Sequence, residues 1–176
     1  MIETTLKSEV LAKYKTNIFV ETGTCEGGGV ALALSLGFDK IYSIEINLER
    51  QLRNMDRFIR NSRVTLLTGD SGLEFPQLIP MINEQATFWL DAHCEKKSQV
   101  MRTWCPLYEE LAAISRSSIK NHIIMIDDMR VIGVTKWGKR VAKDRIINMI
   151  MTINPEYKIS YEDNTIAQND ILVAKI

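Results

Sequence analysis

Short apolar runs rich in β-branched residues alternate along the chain with segments whose apolar residues recur at helical spacing. This alternation is typical of a parallel β-sheet that is covered by helices on both faces. The predicted strands are residues 17–21, 40–45, 63–68, 87–91, 122–127, 157–161 and 171–175. The first five end in or beside a polar residue, and open α/β sheets bind ligands outside the carboxyl ends of their strands. The pattern predicts a doubly wound, mostly parallel seven-stranded α/β sheet with a site at that edge.

The helical segments between these strands differ in how their apolar residues are distributed. Residues 30–36 are apolar on nearly every side, which predicts a buried helix that ends before Gly37. In the next helix, the apolar residues at spacing i, i+4, i+7 and i+11 are Leu48, Leu52, Met55 and Ile59. The arginines on its opposite side are Arg50, Arg53, Arg57 and Arg60. This spacing predicts that the apolar stripe packs on the sheet, while the arginines face solvent or, alternatively, bind an anion.

Two later helices and a terminal hairpin complete the predicted fold. The inner residues of the helix that begins after Pro106 are Leu107, Leu111 and Ile114. Those of the last helix, which Asn154 and Pro155 end, are Ile146, Ile150 and Ile153. Residues 157–176 leave room only for a hairpin, so the last strand is expected to be antiparallel. We find no repeat or linker and expect one domain over residues 1–176, with residues 1–16 as an N-terminal extension.

Composition narrows the classes of function. Among 176 residues, 45% are hydrophobic, and 22 lysines and arginines balance 22 aspartates and glutamates. This neutral balance gives no support to a dedicated nucleic-acid binder, which usually carries a large positive excess. No apolar run reaches the roughly 18 residues that a membrane span needs. The cysteines, Cys25, Cys94 and Cys105, are odd in number and too few for a disulfide framework, which favours the reducing cytoplasm.

A glycine-rich turn follows the first predicted strand. Residues 21–29 read Glu-Thr-Gly-Thr-Cys-Glu-Gly-Gly-Gly, and glycines let a ligand approach the backbone, although such a turn alone can also serve tight packing. Glu45 ends the second strand, where a carboxylate can accept both hydroxyl hydrogens of a ribose. Asp70 follows the third strand, where it reaches an adenine amino group or caps the helix that begins near Ser71.

These residues together resemble the cofactor site of class I S-adenosylmethionine-dependent methyltransferases. The run from Glu21 to Gly27 is similar to their first motif, with Cys25 in place of the usual middle glycine. Glu45 is similar to their ribose-binding acid, and Gly69-Asp70-Ser71 to their adenine-side motif. The terminal hairpin is also typical of them, so the resemblance spans residues 17–176 and implies S-adenosylmethionine as cofactor. The cofactor-binding residues that it implies are Glu21, Thr22, Gly23, Thr24, Gly27, Gly28, Glu45, Asp70, Ser71 and Asp91.

Two alternatives stay open. A nicotinamide-dependent dehydrogenase begins with the same fold, but its G-x-G-x-x-G fingerprint does not match the spacing Gly23-x-x-x-Gly27. A protein without catalysis could keep the fold for cofactor binding or for assembly. The chain has no inserted cap domain, so an acceptor pocket would need the loops or a second subunit of a homo-oligomer.

Acidic residues end the fourth and fifth predicted strands, which we expect to be neighbours. Asp91 ends the fourth strand, and Asp127 and Asp128 end the fifth. Converging like charges raise each other's pKa unless a cation lies among them, and Mg²⁺ or another hard divalent cation prefers such carboxylate oxygens. Zinc would need a tetrahedral set of thiolates and imidazoles, a spacing that the cysteines and His93 do not form.

This acidic set resembles that of metal-dependent sugar O-methyltransferases of the macrocin O-methyltransferase type. The resemblance implies that Asp91, Asp127 and Asp128 hold Mg²⁺ against the acceptor, with Asp128 alternatively a helix cap. The strings at residues 89–93, 105–111 and 126–128 also resemble a wider methyltransferase-like family, so the sugar substrate does not carry over. His93 is a candidate base for an acceptor hydroxyl, or it hydrogen-bonds the loop backbone. His122 begins a strand, far from the strand ends.

Positive charge gathers on the loops beyond these strands. The residues are Lys96, Lys97, Arg102, Arg130, Lys136, Lys139, Arg140, Lys143 and Arg145. An anionic small-molecule acceptor, such as a phosphorylated or uronic sugar, would suit them, or they are solvated surface charges. Nucleic acid is less favoured, because Trp104 and Trp137 alone do not make an aromatic platform; they wall the pocket or pack the loops. We predict an O-methyltransferase with catalytic residues Asp91 and His93.

Overall fold

The computed structural model describes residues 4–93, 103–135 and 137–176 and forms one seven-stranded sheet. The strands are β1 (Ile18–Thr22), β2 (Lys40–Glu45), β3 (Val64–Thr68), β4 (Ala86–Leu90), β5 (Ile123–Ile126), β6 (Lys158–Glu162) and β7 (Ile171–Lys175). Their order is β3-β2-β1-β4-β5-β7-β6, and all neighbours are parallel except β7, which is antiparallel to β5 and β6. The predicted fold is confirmed, with each strand within one residue of its predicted ends.

Helices cover both faces of this sheet. They are α1 (Ser8–Lys13), α2 (Gly28–Ser35), α3 (Leu48–Phe58), α4 (Ser71–Leu78), α5 (Leu107–Ile114) and α6 (Lys143–Ile153). Alternate strand residues point to opposite faces, so Phe88 packs in the core beneath α4 to α6 and Trp89 in the core beneath α1 and α2. The predicted N-terminal extension belongs to this second core, because Leu11 of α1 is fully buried.

The predictions for α5 and α6 are confirmed, and that for α2 is confirmed for its end. The α2 helix ends before Gly37, whose φ is +75° and whose N–H donates to the Leu34 carbonyl, while Phe38 donates to Ala33. The predicted burial on nearly every side is wrong, because only Val30 and Ala33 of residues 30–36 are fully buried. The inner residues predicted for α5 and α6 are all buried: Leu107, Leu111, Ile114, Ile146, Ile150 and Ile153. The α6 helix ends at Ile153, immediately before Asn154. Among the described residues, no helix is long and apolar enough to cross a membrane.

The predicted inner face of α3 is wrong. Leu48, Leu52 and Ile59 are 59%, 52% and 77% exposed, whereas the buried residues of this helix are Gln51, Asn54 and Phe58. The buried amides have backbone partners: Gln51 Nε2 donates to the Leu67 carbonyl at 2.6 Å and Asn54 Nδ2 to the Cys25 carbonyl at 2.9 Å. Hydrogen bonds to the backbone of β3 and of the glycine-rich turn therefore hold α3 in this orientation, and hydrophobic periodicity could not reveal it.

The strand order reverses between β1 and β4. Chain connections lead from β1 outward to β2 and β3, and from β4 outward to β5, so the loops that follow β1 and β4 diverge. Such a switch point leaves a crevice at the carboxyl edge, where α/β proteins bind ligands. In this chain the loop after β1 is the glycine-rich turn, and the loop after β4 begins with Asp91.

Candidate functional site

A cavity of about 280 Å³ opens at this switch point. The predicted site residues that line it are Gly23, Glu45, Asp70, Ser71, Asp91 and His93. Cys25, Arg50 and Trp104 are among its other wall residues. The carboxyl ends of β1 to β4 therefore share one cavity, as the sequence predicted, and its size is at the lower end of the range for small-molecule sites.

Glycine is required at two places around the turn. Gly23 has φ +83°, and a Cβ there would lie 2.7 Å from the Asp91 carbonyl oxygen, because the chains leaving β1 and β4 pass side by side. A Cβ on Gly29 would lie 1.7 Å from Glu21 Oε1. The turn thus fits closely over the end of β1, with the Glu21 carboxyl group directly against α2.

Cys25, the residue that replaces a glycine of the motif, adopts the left-handed conformation with φ +49°. Its backbone N–H donates to Glu45 Oε2 at 2.8 Å, and its carbonyl accepts from Asn54 Nδ2. These two hydrogen bonds hold Cys25 in the left-handed conformation, which costs a non-glycine residue conformational free energy. Asn54 was missed in the sequence, because the apolar stripe predicted for α3 did not include it.

Several residues of the predicted cofactor set lie beneath the turn and do not line the cavity. Glu21 is 2% exposed and accepts from Ser43 Oγ at 2.6 Å, and the Ser43 and Thr24 hydroxyls lie 2.7 Å apart. Burial raises the pKa of Glu21 to about 8. Thr22 ends β1, and Gly27 and Gly28 begin α2 behind the turn. These residues shape the loop from below.

Glu45 lies on the cavity wall, where two backbone hydrogen bonds orient its carboxylate. Its Oε2 accepts from the Cys25 N–H, and its Oε1 accepts from the Asn47 N–H at 2.9 Å. The side chain is 4% exposed. One backbone bond on each oxygen fixes the carboxylate plane and leaves further lone pairs on both oxygens for a diol.

The structure confirms that Asp70 caps α4, and its role toward adenine stays a prediction. Its Oδ1 accepts from the Gly72 N–H at 3.0 Å and so caps α4, and the same residue lines the cavity. Next to it, Ser71 is the first residue of α4 and donates its hydroxyl hydrogen to Glu110 Oε1 at 2.5 Å.

Glu110 is a residue that the sequence interpretation left without a role. It is 1% exposed, and burial raises its pKa to about 7 although hydrogen bonds from Ser71 and Thr22 lower it. Its position could have revealed it, because it shares the inner face of α5 with Leu107, Leu111 and Ile114. A carboxyl group on a helix face that packs on the core needs polar partners.

A second group of polar side chains lies where β4 and β5 end. Ligand atoms of Asp91, His93 and Asp128 all lie within 4.8 Å of one another. His93 Nδ1 is 3.5 Å from Asp91 Oδ1, and its Nε2 is 3.2 Å from Asp128 Oδ2. Its ring stacks on Trp137 with centroids 4.4 Å apart. The imidazole therefore lies between two carboxylates, and the buried Trp137 packs against it; of the two tryptophans, Trp104 lines the cavity.

Asp127, the third predicted ligand, points to different partners. Its carboxylate accepts from Thr5 Oγ1 at 2.5 Å and from Asn164 Nδ2 at 2.8 Å. It also forms a buried acidic group with Asp128 and Asp170, within 4.8 Å of one another. The predicted acids thus converge at one edge, but Asp127 is bonded to the amino-terminal segment and the hairpin loop.

Arg130 supplies positive charge to the outer side of this acidic group. Its guanidinium pairs with Asp170 and lies 2.6 Å from Asp128 Oδ1. Asp128 has φ +62°, a conformation that turns its carboxylate toward both Arg130 and His93. Burial, followed by the charges of Asp127 and Asp128, raises the pKa of Asp91 well above its usual range. The positive charge of Arg130 lies beside Asp170 and Asp128, so it compensates those two carboxylates more than it compensates Asp91.

Few of the predicted basic residues can be placed near the cavity. Arg140 lies 5.8 Å from the ring centre of Trp104, which lines the cavity, and Arg145 packs on Tyr108. The predicted residues Cys94, Lys96, Lys97, Arg102 and Lys136 lie outside the described residues.

His122 lies away from the site, as the sequence predicted. It is fully buried, its Nδ1 accepts from the Ala86 N–H, and its Nε2 is 2.9 Å from Ser117 Oγ. Burial lowers its pKa to about 4. It bonds the start of β4 to the loop before β5 and has no part in the cavity.

The order of strands, the reversed β7 and the crevice beside β1 define a Rossmann-like methyltransferase fold. No family model matches the chain, and a comparison with curated proteins also gives no match. Solved structures do share its fold. Over the full length of both chains, a Streptococcus mutans protein assigned as a methyltransferase and solved with S-adenosylhomocysteine is 14% identical, with a TM-score of 0.62.

Two further structures show the range of proteins with this fold. A Clostridium thermocellum protein assigned as an rRNA methylase is 15% identical over the full length of both chains, with a TM-score of 0.64. An O-methyltransferase from Bacillus cereus in complex with S-adenosylhomocysteine is 12% identical, over 96% of this chain and 78% of that one, with a TM-score of 0.56. The TM-scores of these structures establish a shared fold, and at such low sequence identity they establish nothing beyond the fold.

Proposed function

We propose that this protein is an S-adenosylmethionine-dependent O-methyltransferase that acts, with a divalent cation, on a hydroxyl group of a small anionic or sugar-like acceptor. The observation that carries this proposal is one cavity lined at one end by Glu45 and Asp70 and at the other by Asp91 and His93. A nucleoside at the first end would bring its sulfonium toward the second. The S-adenosylhomocysteine complexes of proteins with the same fold support the choice of cofactor.

The cofactor would lie along the ends of β1 to β3. Glu45 accepts the two ribose hydroxyls, since both of its oxygens are oriented by backbone N–H groups. The adenine would lie beyond it, against Asp70 and Ser71, and the homocysteine part would lie beside the turn at Gly23, since all three residues line the same cavity. Bound S-adenosylmethionine supplies a methyl group already activated on a sulfonium, so the protein's main contribution is alignment, on the order of 7–11 kcal/mol.

The residues at the β4 and β5 ends fit a divalent cation. Asp91 and Asp128 offer carboxylate oxygens within 4.8 Å, and the pKa of Asp91 is raised by burial and by negative neighbours, which a cation would offset. We assign Asp91 and Asp128 as the metal ligands. Asp127 would be a third ligand if its carboxylate gave up the hydrogen bond from Thr5 and turned toward the metal. Mg²⁺ or another hard cation bound there supplies positive charge that orients the acceptor and lowers its hydroxyl pKa.

His93 is the proposed general base. As the acceptor oxygen forms its bond to the methyl carbon, the bond from that carbon to sulfur breaks, and the hydroxyl proton passes to the imidazole. Asp91, whose Oδ1 is 3.5 Å from Nδ1, stabilises the imidazolium that results, and Nε2, now 3.2 Å from Asp128 Oδ2, would be the nitrogen that accepts the proton once Asp128 turns toward the cation. Stacking on Trp137 keeps the ring in this position.

Calorimetry with S-adenosylhomocysteine tests the cofactor part of the proposal. We expect one site per chain with the wild-type protein, and absence of binding at millimolar ligand would overturn the proposal. Methyl transfer is then assayed with labelled S-adenosylmethionine against sugar phosphates, uronic acids and, because one protein of this fold is assigned as an rRNA methylase, rRNA.

The cation is tested with an active acceptor from that screen. Asp91→Ala should abolish metal-dependent turnover and leave the affinity for S-adenosylhomocysteine within about three-fold, since Asp91 binds the cation in this scheme. The matched control is Asp144→Ala, on the exposed first turn of α6. Equal turnover with and without chelator would exclude a role for the metal.

A further inference from the structure

A second cavity, of about 370 Å³, lies at the opposite edge of the sheet from the first. It is formed by the end of α4, the 3₁₀ helix Ile79–Met81 that follows it, and the end of α5 with the residues after it. Helices that connect parallel strands run antiparallel to them, so these helix ends lie where β4 and β5 begin. The lining residues differ from those of the first cavity, and the volume is within the range of small-molecule sites.

Apolar side chains make up most of the lining of this second cavity. They belong to Pro76, Ile79, Pro80, Ile82 and Ala113, and the polar lining residues are Arg116, Ser117 and Ser118. Arg116 is exposed and has no ion-pair partner among the residues that the structure describes. An unpaired guanidinium beside apolar side chains, with no acid among the described lining residues, favours an anion that carries an apolar part.

Ser117 contributes a hydrogen-bond donor to this lining. Its Oγ accepts from the Ile119 N–H at 3.1 Å and lies 2.9 Å from His122 Nε2. His122 Nδ1 accepts from the Ala86 N–H, and burial lowers the pKa of His122 to about 4, so near pH 7 its one ring hydrogen is on Nε2 and is donated to Ser117. The hydroxyl oxygen thus accepts two hydrogen bonds, while its own hydrogen has no acceptor among the described residues. Since Ser117 is 4% exposed and lines the cavity, an acceptor bound there would satisfy this hydrogen.

We propose that this cavity is a second ligand site that binds a small apolar carboxylate, with the carboxylate at Arg116 and Ser117 and the hydrocarbon part on the apolar lining. Both of these side chains have hydrogens to donate, and a carboxylate offers only acceptors. The last carbonyls of α5 carry partial negative charge, which disfavours a phosphate dianion more than a monoanion. The apolar lining residues would remove a short hydrocarbon chain from water. The inference is independent of the proposed function, because the first cavity takes no part in it.

Nuclear magnetic resonance titrations of the isotope-labelled protein with hexanoate, hexanamide and acetate test the ligand class. Hexanoate should shift the amide signals of Ser117 and Ile119 and bind about ten-fold more tightly than hexanamide, because hydrogen bonds to a charged acceptor are stronger and the N–H groups of the amide would face donors. Acetate has the same charge but should bind at least about ten-fold more weakly than hexanoate, since it lacks the chain that the apolar residues bury. Equal affinity for hexanoate and either other compound, or unshifted Ser117 and Ile119 signals at millimolar hexanoate, would overturn the inference.

Arg116→Gln tests the residue that supplies the charge, and its exposure means that the variant should fold. It should remove the roughly ten-fold preference for hexanoate over hexanamide, whereas Arg116→Lys, which keeps the charge, should retain most of it. The matched control is Arg60→Gln, an exposed arginine just after α3 and outside this lining, and it should leave the preference unchanged. A preference that survives Arg116→Gln would mean adventitious binding only and would overturn the inference. Neither arm uses S-adenosylhomocysteine, so failure here leaves the proposed function untouched.

Discussion

The carboxylate of Glu45 offers the sharpest single test of the cofactor site. Each of its oxygens accepts one backbone N–H, from Cys25 and from Asn47, at 2.8 and 2.9 Å. In the proposed complex it also accepts two ribose hydroxyls, and hydrogen bonds to a charged acceptor contribute about 1.5 kcal/mol or more each. Two such bonds correspond to roughly a 100-fold change in the dissociation constant.

Glu45→Ala should therefore weaken S-adenosylhomocysteine binding by about 100-fold, and Glu45→Gln, which keeps one acceptor oxygen, by about ten-fold. Glu45→Ala removes the acceptor of both the Cys25 and the Asn47 N–H, and Glu45→Gln removes the acceptor of one of them, so we expect each substitution also to lower the free energy of unfolding by about 1–2 kcal/mol. Calorimetric titration and urea unfolding measure the two effects separately.

The matched control is Glu49→Gln, four residues away on α3. Its carboxylate is 85% exposed and pairs with Arg53, so binding and stability should both stay close to wild type. A folded Glu45→Ala variant that binds S-adenosylhomocysteine within about three-fold of wild type would refute the assignment of the ribose site.

Two further predictions concern His122 and Cys25. Since burial lowers the pKa of His122 to about 4, its contribution to stability is complete above about pH 6.5 and is lost as the pH falls. Urea unfolding at pH 7.5 and 5 should show a loss of about 2 kcal/mol more in the wild type than in His122→Gln, and equal losses would contradict the assignment. Cys25 is exposed on the cavity wall, whereas burial raises the pKa of Cys105 to about 12. Site-resolved mass spectrometry should find Cys25 alkylated faster than Cys105, and about ten-fold more slowly with S-adenosylhomocysteine at ten times its dissociation constant; unchanged alkylation would place the ligand elsewhere.

The strands and their acidic ends could be predicted because strands covered on both faces are largely apolar and the first acidic residue marks the end. Glu45 and Asp91 follow this rule, and the topology brings them to one cavity. The orientation of α3 could not be predicted in the same way. Its buried Gln51 and Asn54 are polar residues whose backbone partners lie in β3 and in the glycine-rich turn, outside the helix itself.

The partners of the acidic residues depend on contacts between distant segments. Asp127 was expected to face Asp91, but the hydroxyl of Thr5 and the amide of Asn164 bind its carboxylate. Nothing in the local sequence around residues 127 and 128 distinguishes an acid that faces a ligand from one that holds the amino-terminal segment. Glu110, in contrast, could have been found from its position on the inner face of α5.

The contact of Thr5 with Asp127 has a practical consequence for preparing the protein. Thr5 also accepts a backbone bond from Thr165, and Leu6 is buried, so the segment near the amino terminus is anchored at the edge where the acids gather. A purification tag fused to this segment would therefore lie near the proposed reaction centre. Because β7 runs antiparallel to β5, Lys175 lies at the opposite edge of the sheet, and a tag joined after Ile176 would leave the proposed reaction centre unobstructed.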